Sequence, residues 1–336
     1  MAIAGMKHKG FRRALSLAGG LAAALCIHGA GAAMVPNAPV LIEVPAAMAQ
    51  ANTSIEPSGV AWAAPLDRYL IVSDDTGLEA NKHVPEVFAM TRQGAFDEAP
   101  VPILGIAELN DPEAICAGPD GTYFLTTSHS LNKKGKAKPA RRMLLQLRLE
   151  GRALRVMGQL DLTTAQDRNG RGLLEIAGLD PSGKLDIEAL TYRQDALLVG
   201  LKAPLTSQGT AVILRLETPA RALQTGRIEP GTLTRFKELN LGAKRAGGTI
   251  GRGIADLLSL PDGSIVVLAN SPKGMPADGG GAMFWLKRDA STAVLLHVYP
   301  GLKPEGVTLA EDGKGLVVVF DNNLLPPKWT RCPLPK

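Results

Sequence analysis

Four glutamates open short apolar stretches at widely separated points of the 336-residue chain. They are Glu56 in Ile55-Glu56-Pro57-Ser58-Gly59-Val60-Ala61-Trp62, Glu113 in Pro112-Glu113-Ala114-Ile115, Glu188 in Ile187-Glu188-Ala189-Leu190, and Glu305 in Pro304-Glu305-Gly306-Val307. A fifth segment of the same layout, Ile254-Ala255-Asp256-Leu257, has Ala255 in the glutamate column and its acid one residue later. With a side-chain period of two, that shift turns Asp256 to the opposite face unless a bulge intervenes. Carboxylates gathered in one place raise each other's pKa, and desolvation raises it further, so a cation belongs among them. All-oxygen ligation suits Ca²⁺ or Mg²⁺, which makes Glu56, Glu113, Glu188 and Glu305 candidate metal ligands. The chain's own cations are a second reading: Lys202 in Gly200-Leu201-Lys202-Ala203-Pro204 and Arg252 in Gly251-Arg252-Gly253, which are also the candidate substrate-binding residues. A third is that each glutamate hydrogen-bonds backbone N–H groups of a neighbouring unit and only holds the fold together.

Further polar groups follow aliphatic runs: Asp74 and Asp75, Ser128 and His129, Lys202, Asn270, and Asp321 with Asn322. Ordinary turns favour the same residue types. His129, flanked by Ser128 and Ser130, is the candidate catalytic acid or base near neutral pH, against the alternative of a hydrogen-bonded loop histidine. After it comes Lys133-Lys134-Gly135-Lys136-Ala137-Lys138-Pro139-Ala140-Arg141-Arg142, with six positive charges and no negative one. This loop either attracts an anionic ligand to the site or is a solvated hairpin. No Gly-x-Ser-x-Gly elbow, His-Glu-x-x-His helix or phosphate-binding Gly-rich Lys loop occurs. Gly248 to Gly253 lacks the strand and helix alternation of a dinucleotide site, so no nucleotide cofactor is expected.

What must position these residues is a set of short strands. Pro119-Asp120-Gly121, Pro261-Asp262-Gly263 and Glu311-Asp312-Gly313 are hairpin turns at nearly constant offset from the acidic starts. Further strands are expected at Glu86 to Thr91, Met143 to Leu149, Ala211 to Leu216 and Ala282 to Lys287, with outer strands at Leu154 to Leu160 and Leu295 to Tyr299. Four short strands per unit without helical periodicity is the pattern of propeller blades. Five starts predict an all-β, five-bladed propeller, with room for a sixth blade in Leu162 to Leu185, otherwise a surface insertion. The last start lies so close to the C-terminus that Val40 to Pro45 is expected to supply a missing outer strand and close the ring. First strands line the central channel, so their starts converge on one mouth.

Composition sets the outer limits. Hydrophobic residues make up 45%, charged residues 21% and aromatics 4%, with 37 Gly and 24 Pro, which excludes a disordered chain and disfavours a helical bundle. Lys7, Lys9, Arg12 and Arg13 precede an apolar run, Ala14 to Ile27, too short to span a bilayer, and Ala30-Gly31-Ala32 follows. Residues 1–32 are read as a secretory signal and 33–336 as the propeller, placing the mature protein in the periplasm or outside the cell. Taking four basic and no acidic residues from a chain of 37 Lys and Arg against 32 Asp and Glu lowers the net charge from +5 to about +1. That removes the main argument for nucleic-acid binding. No other stretch is suited to membrane insertion. Cys116 and Cys332 survive processing and are read as either a disulfide or packed thiols.

The segments Asp186-Ile187-Glu188-Ala189-Leu190, Gly200-Leu201-Lys202-Ala203-Pro204-Leu205 and Gly251-Arg252-Gly253-Ile254-Ala255-Asp256-Leu257 resemble hallmarks of a bacterial propeller family of unknown function. That family shows Ile-Glu-Gly-Leu, Gly-x-Arg-x-Pro and Gly-x-Gly-Ile-Arg-Asp-Leu at these places; here Lys202 and Ala255 replace two of its arginines. More distantly, the Glu-Pro-Ser-Gly start at Glu56 is similar to esterase-like phytases, and the acidic channel to gluconolactonase and strictosidine-synthase-like propellers. The resemblance implies a bound divalent cation. The functional expectation is a metal-assisted hydrolase of an anionic ester, a phosphoester or a lactone. Its competitor is a non-catalytic module gripping a small ligand, a glycan or an unknown protein, because propellers host both.

Overall fold

Along the strand Gly315–Asp321, Leu316, Val318 and Phe320 enter one hydrophobic cluster while Val317 and Val319 enter another. Along Arg68–Ser73 the same split separates Leu70 and Val72 from Tyr69 and Ile71. In Ile265–Asn270 it separates Val266 and Leu268 from Ile265 and Val267. Successive side chains leave a strand on opposite faces. Strands that are apolar on both faces must therefore be covered on both, and each sheet needs two neighbours. A stack of such sheets has no uncovered end only when it closes on itself.

The computed structural model describes residues 34–50, 55–74, 83–245, 248–271, 280–321 and 326–336. Residues 1–32, expected from the sequence to be a signal, lie outside the described residues, as do Asp75 and Asn322. Among the described residues the strands form antiparallel sets of four. The first comprises Pro57–Ala63, Arg68–Ser73, Glu86–Met90 and Val101–Leu104. The second comprises Pro112–Ala117, Thr122–Thr127, Leu144–Glu150 and Ala153–Leu160. The third is Asp186–Arg193, Ala196–Ala203, Ala211–Glu217 and Leu233–Leu239. The fourth is Gly253–Ser259, Ile265–Asn270, Gly281–Leu286 and Val294–Tyr299. The fifth joins Lys303–Leu309, Gly315–Asp321 and Lys328–Pro333 to the N-terminal Val40–Leu41, where Val40 pairs with Trp329. The first two sets share an edge through a parallel pair, Ile103 with Leu154 and Leu104 with Arg155.

The first strands of consecutive sets touch in cyclic order, the last touching the first. Five hydrophobic clusters fill the five gaps between neighbouring sets. This is a β-propeller whose sets of four strands are its blades, closed by the N-terminal strand. Near the axis the first strands approach backbone to backbone: a Cβ at Gly59 would stand 2.8 Å from the Cα of Ala114. Only glycine fits there.

Strand bounds agree with the sequence expectation to within one residue in all six additional strands. Three features depart from it. The closing strand expected over Val40 to Pro45 is confined to Val40–Leu41. The segment 162–185 forms no strand, but it is packed rather than an insertion over the surface: Leu162, Leu173 and Ala177 are buried in the cluster between blades 2 and 3. A helix, Pro219–Thr225, joins the last two strands of blade 3, with proline in its first turn and Gly226 in the left-handed conformation at its end. Ala222 and Leu223 bury its inner face in that same cluster. Cys116 and Cys332 are free thiols in different regions, the first packed against the cluster between blades 2 and 3 and the second within that between blades 4 and 5. Among the described residues no helix is long and apolar enough to cross a membrane.

Candidate functional site

Every first strand carries a bulge at the same place. Pairing with the second strand slips between Pro57 and Gly59, Pro112 and Ala114, Ile187 and Ala189, Ile254 and Asp256, and Pro304 and Gly306. The bulged residues are therefore Ser58, Glu113, Glu188, Ala255 and Glu305. A bulge leaves one residue out of the ladder and redirects its side chain. Glu56 does not belong to this column, because Ser58 holds the equivalent place in blade 1. Glu56 instead matches Asp111: its carbonyl accepts from the amide of Asp74, as that of Asp111 accepts from Ser128. A second column thus runs Glu56, Asp111, Asp186, Gly253 and Lys303, one residue before the ladder slips.

Two groups of carboxylates assemble from these columns, each with its oxygen atoms within 4.8 Å of one another. Asp74, Asp111 and Glu113 form one, and Glu113, Asp186 and Glu188 the other, with Glu113 shared. Asp74 is held by the Ser58 hydroxyl. Asp111 is ion-paired to Arg141, which also donates to Asn110 Oδ1 (3.0 Å) and Ser130 Oγ (2.8 Å). Glu188 is ion-paired to Lys202. Lys303 Nζ stands 2.5 Å from Glu305 and 2.8 Å from Asp321. Glu113, only 6% exposed, has no hydrogen-bond or ion-pair partner for its carboxylate among the described residues. Groups from blades 1, 2, 3 and 5 act on one another here, which is possible only at the axis of the ring.

The electrostatics follow from this crowding. Burial and the adjacent Asp111 push Asp74 up to about 7, against the pull of Ser58 and Lys303. Burial raises Glu113 well above the usual carboxylate range, and Asp74, Asp111, Glu188 and Asp186 raise it further. Glu188 is pushed up to about 7 by burial despite Lys202, and burial raises Glu305 despite Lys202 and Lys303. Burial works against the charge on both lysines, but Glu188 and Glu305 outweigh it for Lys202, and Glu305 and Asp321 for Lys303, so both stay protonated. The donors are all carboxylate oxygens, and a buried one lacks a cation. The residues present therefore fit a hard divalent ion.

The other sequence candidates are placed differently. Asp256 is buried and bridges blades: its carboxylate accepts the amides of Leu257 (2.8 Å) and of Val307 (2.7 Å) in blade 5. Arg252 is buried and donates to the carbonyl of Gly280 at 3.3 Å. His129 is not a free acid or base. Its ring is buried, Nδ1 lies 2.8 Å from the Thr127 carbonyl, and Nε2 accepts the Leu162 amide at 3.2 Å. Burial lowers its pKa to about 4, so the imidazole is neutral with both nitrogens engaged. In the basic loop Lys133, Lys134, Lys136 and Lys138 are exposed, whereas Arg141 turns inward to Asp111. Asn270 Nδ2 donates to the Pro304 carbonyl at 2.8 Å.

Asp111, Asp186 and Lys303 escaped selection from the sequence. The available signal was the spacing: each lies two residues before a bulged glutamate, and alternate residues of a strand share a face.

No family model and no curated protein matches the chain. Among solved structures it is similar to the periplasmic gluconolactonase of Pseudomonas aeruginosa, with 12% identity and a TM-score of 0.44 over 83% of this chain and 89% of that one. It is also similar to an endo-arabinase from Bacteroides thetaiotaomicron, with 11% identity and a TM-score of 0.45 over 87% and 97%. A gluconolactonase from Xanthomonas campestris follows with 12% identity and a TM-score of 0.38 over 90% and 97%.

Proposed function

We propose that the channel mouth binds Ca²⁺ or Mg²⁺ through Asp74, Asp111, Glu113, Asp186 and Glu188, and that the exported protein hydrolyses an anionic lactone or phosphoester there. The observation that carries this reading is Glu113: a carboxylate 6% exposed, shared by two acidic groups and without a cation of its own. Burying such a group unpaired is costly unless it protonates or meets a metal.

A bound divalent ion supplies Lewis-acid polarisation of the scissile carbonyl or phosphoryl oxygen and acidifies water. The chain's residues supply the rest. In the metal-free state burial pushes Glu188 and Asp74 up to about 7, and a cation held between them would favour their ionised form. Lys202 and Lys303 place two ammonium groups beside the carboxylates, where they orient a substrate anion. Arg141 fixes Asp111 and so ties the basic loop to the site.

The same lysines favour a second reading. Lys202 and Lys303 already neutralise Glu188, Glu305 and Asp321, as they would in a scaffold that only binds a ligand. Metal analysis of the mature protein separates the two. The hydrolase reading expects stoichiometric Ca²⁺ or Mg²⁺, its loss in Glu113→Gln, and chelator-sensitive turnover of a lactone and phosphoester panel. Absence of metal and of turnover, with Glu113→Gln changing only thermal stability, leaves the scaffold.

A further inference from the structure

Asp186 and Arg193 are the two ends of one strand, the first strand of blade 3, so they lie roughly 23 Å apart at 3.3 Å per residue. The acidic mouth is at the Asp186 end. At the other end a cavity of about 230 Å³ opens between blades 3 and 4, lined by Arg193, Arg215, Lys237, Lys287 and Arg288, with Phe236 and Leu286 as an apolar wall. Glu217 neutralises Arg215 (Nε to Oε1, 2.5 Å), and Lys287 lies over the Trp285 ring at 4.6 Å. Arg193, Lys237 and Arg288 form no ion pair with a carboxylate among the described residues, although Asp289 also lines the cavity, and Arg288 Nη2 donates to the carbonyl of Asp262, whose carboxyl pKa its charge helps to lower. Arg193 Nε is buried without an acceptor. Gly263, in the left-handed conformation at φ +84°, is the reason two guanidinium groups meet here: a Cβ on it would stand 2.8 Å from Arg288 Nε and 3.4 Å from Arg193 Nη2.

Two adjacent guanidinium groups and an ammonium repel one another, and a buried N–H without an acceptor is costly to leave unmade. A tetrahedral oxyanion relieves both, because guanidinium groups match phosphate oxygens in pairs and the ammonium adds a point charge. The cavity exceeds what a bare phosphate needs, and its apolar wall suits a small organic body. We propose that this inter-blade cavity, on the face opposite the acidic mouth, is a second site that binds a small phosphate monoester through Arg193, Lys237 and Arg288. It is independent of the metal reading.

Isothermal titration with inorganic phosphate and with phenyl phosphate, in a chelator so that no metal-held phosphate contributes, tests this. Saturable binding at one site per chain is expected, tighter for phenyl phosphate, and weakening as salt rises. Arg193→Gln and Arg288→Gln should each reduce affinity about tenfold or more. Lys136→Gln, which removes an exposed charge on the opposite face, should leave it unchanged. Lys237→Gln is the second variant should an arginine change disturb folding, monitored by circular dichroism. Absence of saturable binding at low-millimolar ligand overturns the proposal, as does equal weakening by Lys136→Gln or full affinity in the folded Arg193 and Lys237 variants.

Discussion

Lys202 is ion-paired to Glu188 inside a single hairpin, while Glu113, at the equivalent bulge one blade earlier, faces only other carboxylates. Because both Lys202 and Glu188 are buried, removing one partner strands a charge, whereas removing both does not. Lys202→Met should therefore destabilise the protein by about 3–5 kcal/mol at pH 8. The loss should shrink at pH 5, where Glu188 takes up a proton, and the double variant with Glu188→Met should recover much of it. Urea denaturation at both pH values measures this, and a Lys202→Met loss that does not depend on pH would contradict the assignment.

The metal-free protein should become less stable as pH rises from 5 to 8. Asp74 and Glu188 are pushed from ordinary carboxylate values up to about 7, and Glu113 and Glu305 are raised as well. Between the unfolded and folded values the folded state holds more protons, so stability is fully present below the unfolded value and declines as pH passes the folded one. His129 and His297 work the other way, since burial lowers both and the unfolded chain binds more protons below about 6.5. The carboxylates outnumber them. Calorimetry in a chelator should show the midpoint falling across this range, by about 2–4 °C for each kcal/mol lost, and millimolar Ca²⁺ should reverse the fall at pH 8. A midpoint that climbs steadily with pH would refute the crowded-acid account.

Replacing His129 should cost stability and leave the chemistry of the mouth in place. Its Nε2 is the acceptor for the Leu162 amide, and that amide begins the packed segment between blades 2 and 3. His129→Ala strands a buried N–H, a loss of about 1–3 kcal/mol. The comparison to make is divalent-cation affinity and turnover in the folded fraction at low temperature. Unchanged cation affinity and turnover are expected; loss of turnover with folding intact would restore His129 as a catalytic group.

Much of the propeller was legible because a strand covered on both faces writes itself as an unbroken aliphatic run. Ile265 to Leu268 and Leu316 to Phe320 read this way, and each follows an Asp-Gly turn. The acidic column was legible at Glu113, Glu188 and Glu305 for a related reason, since a charged residue inside an apolar stretch stands out. Glu56 misled because it repeats the type of residue without the register. The bulge in blade 1 falls on Ser58, and hydrogen-bond slippage leaves no mark in residue type.

Local pattern alone determined the strands, their turns and the suspicion of an acidic centre. Tertiary structure decided which acids meet. It drew Asp74, Asp111 and Asp186 to Glu113, assigned Lys202 to Glu188 and turned Arg141 inward. It also tied both nitrogens of His129 within the protein and set Asp256 as a brace between blades rather than a ligand. The physical reason is that strand periodicity is a property of neighbours in the chain. Ion pairing and desolvation are set by distances between blades, and these exist only once the ring has closed.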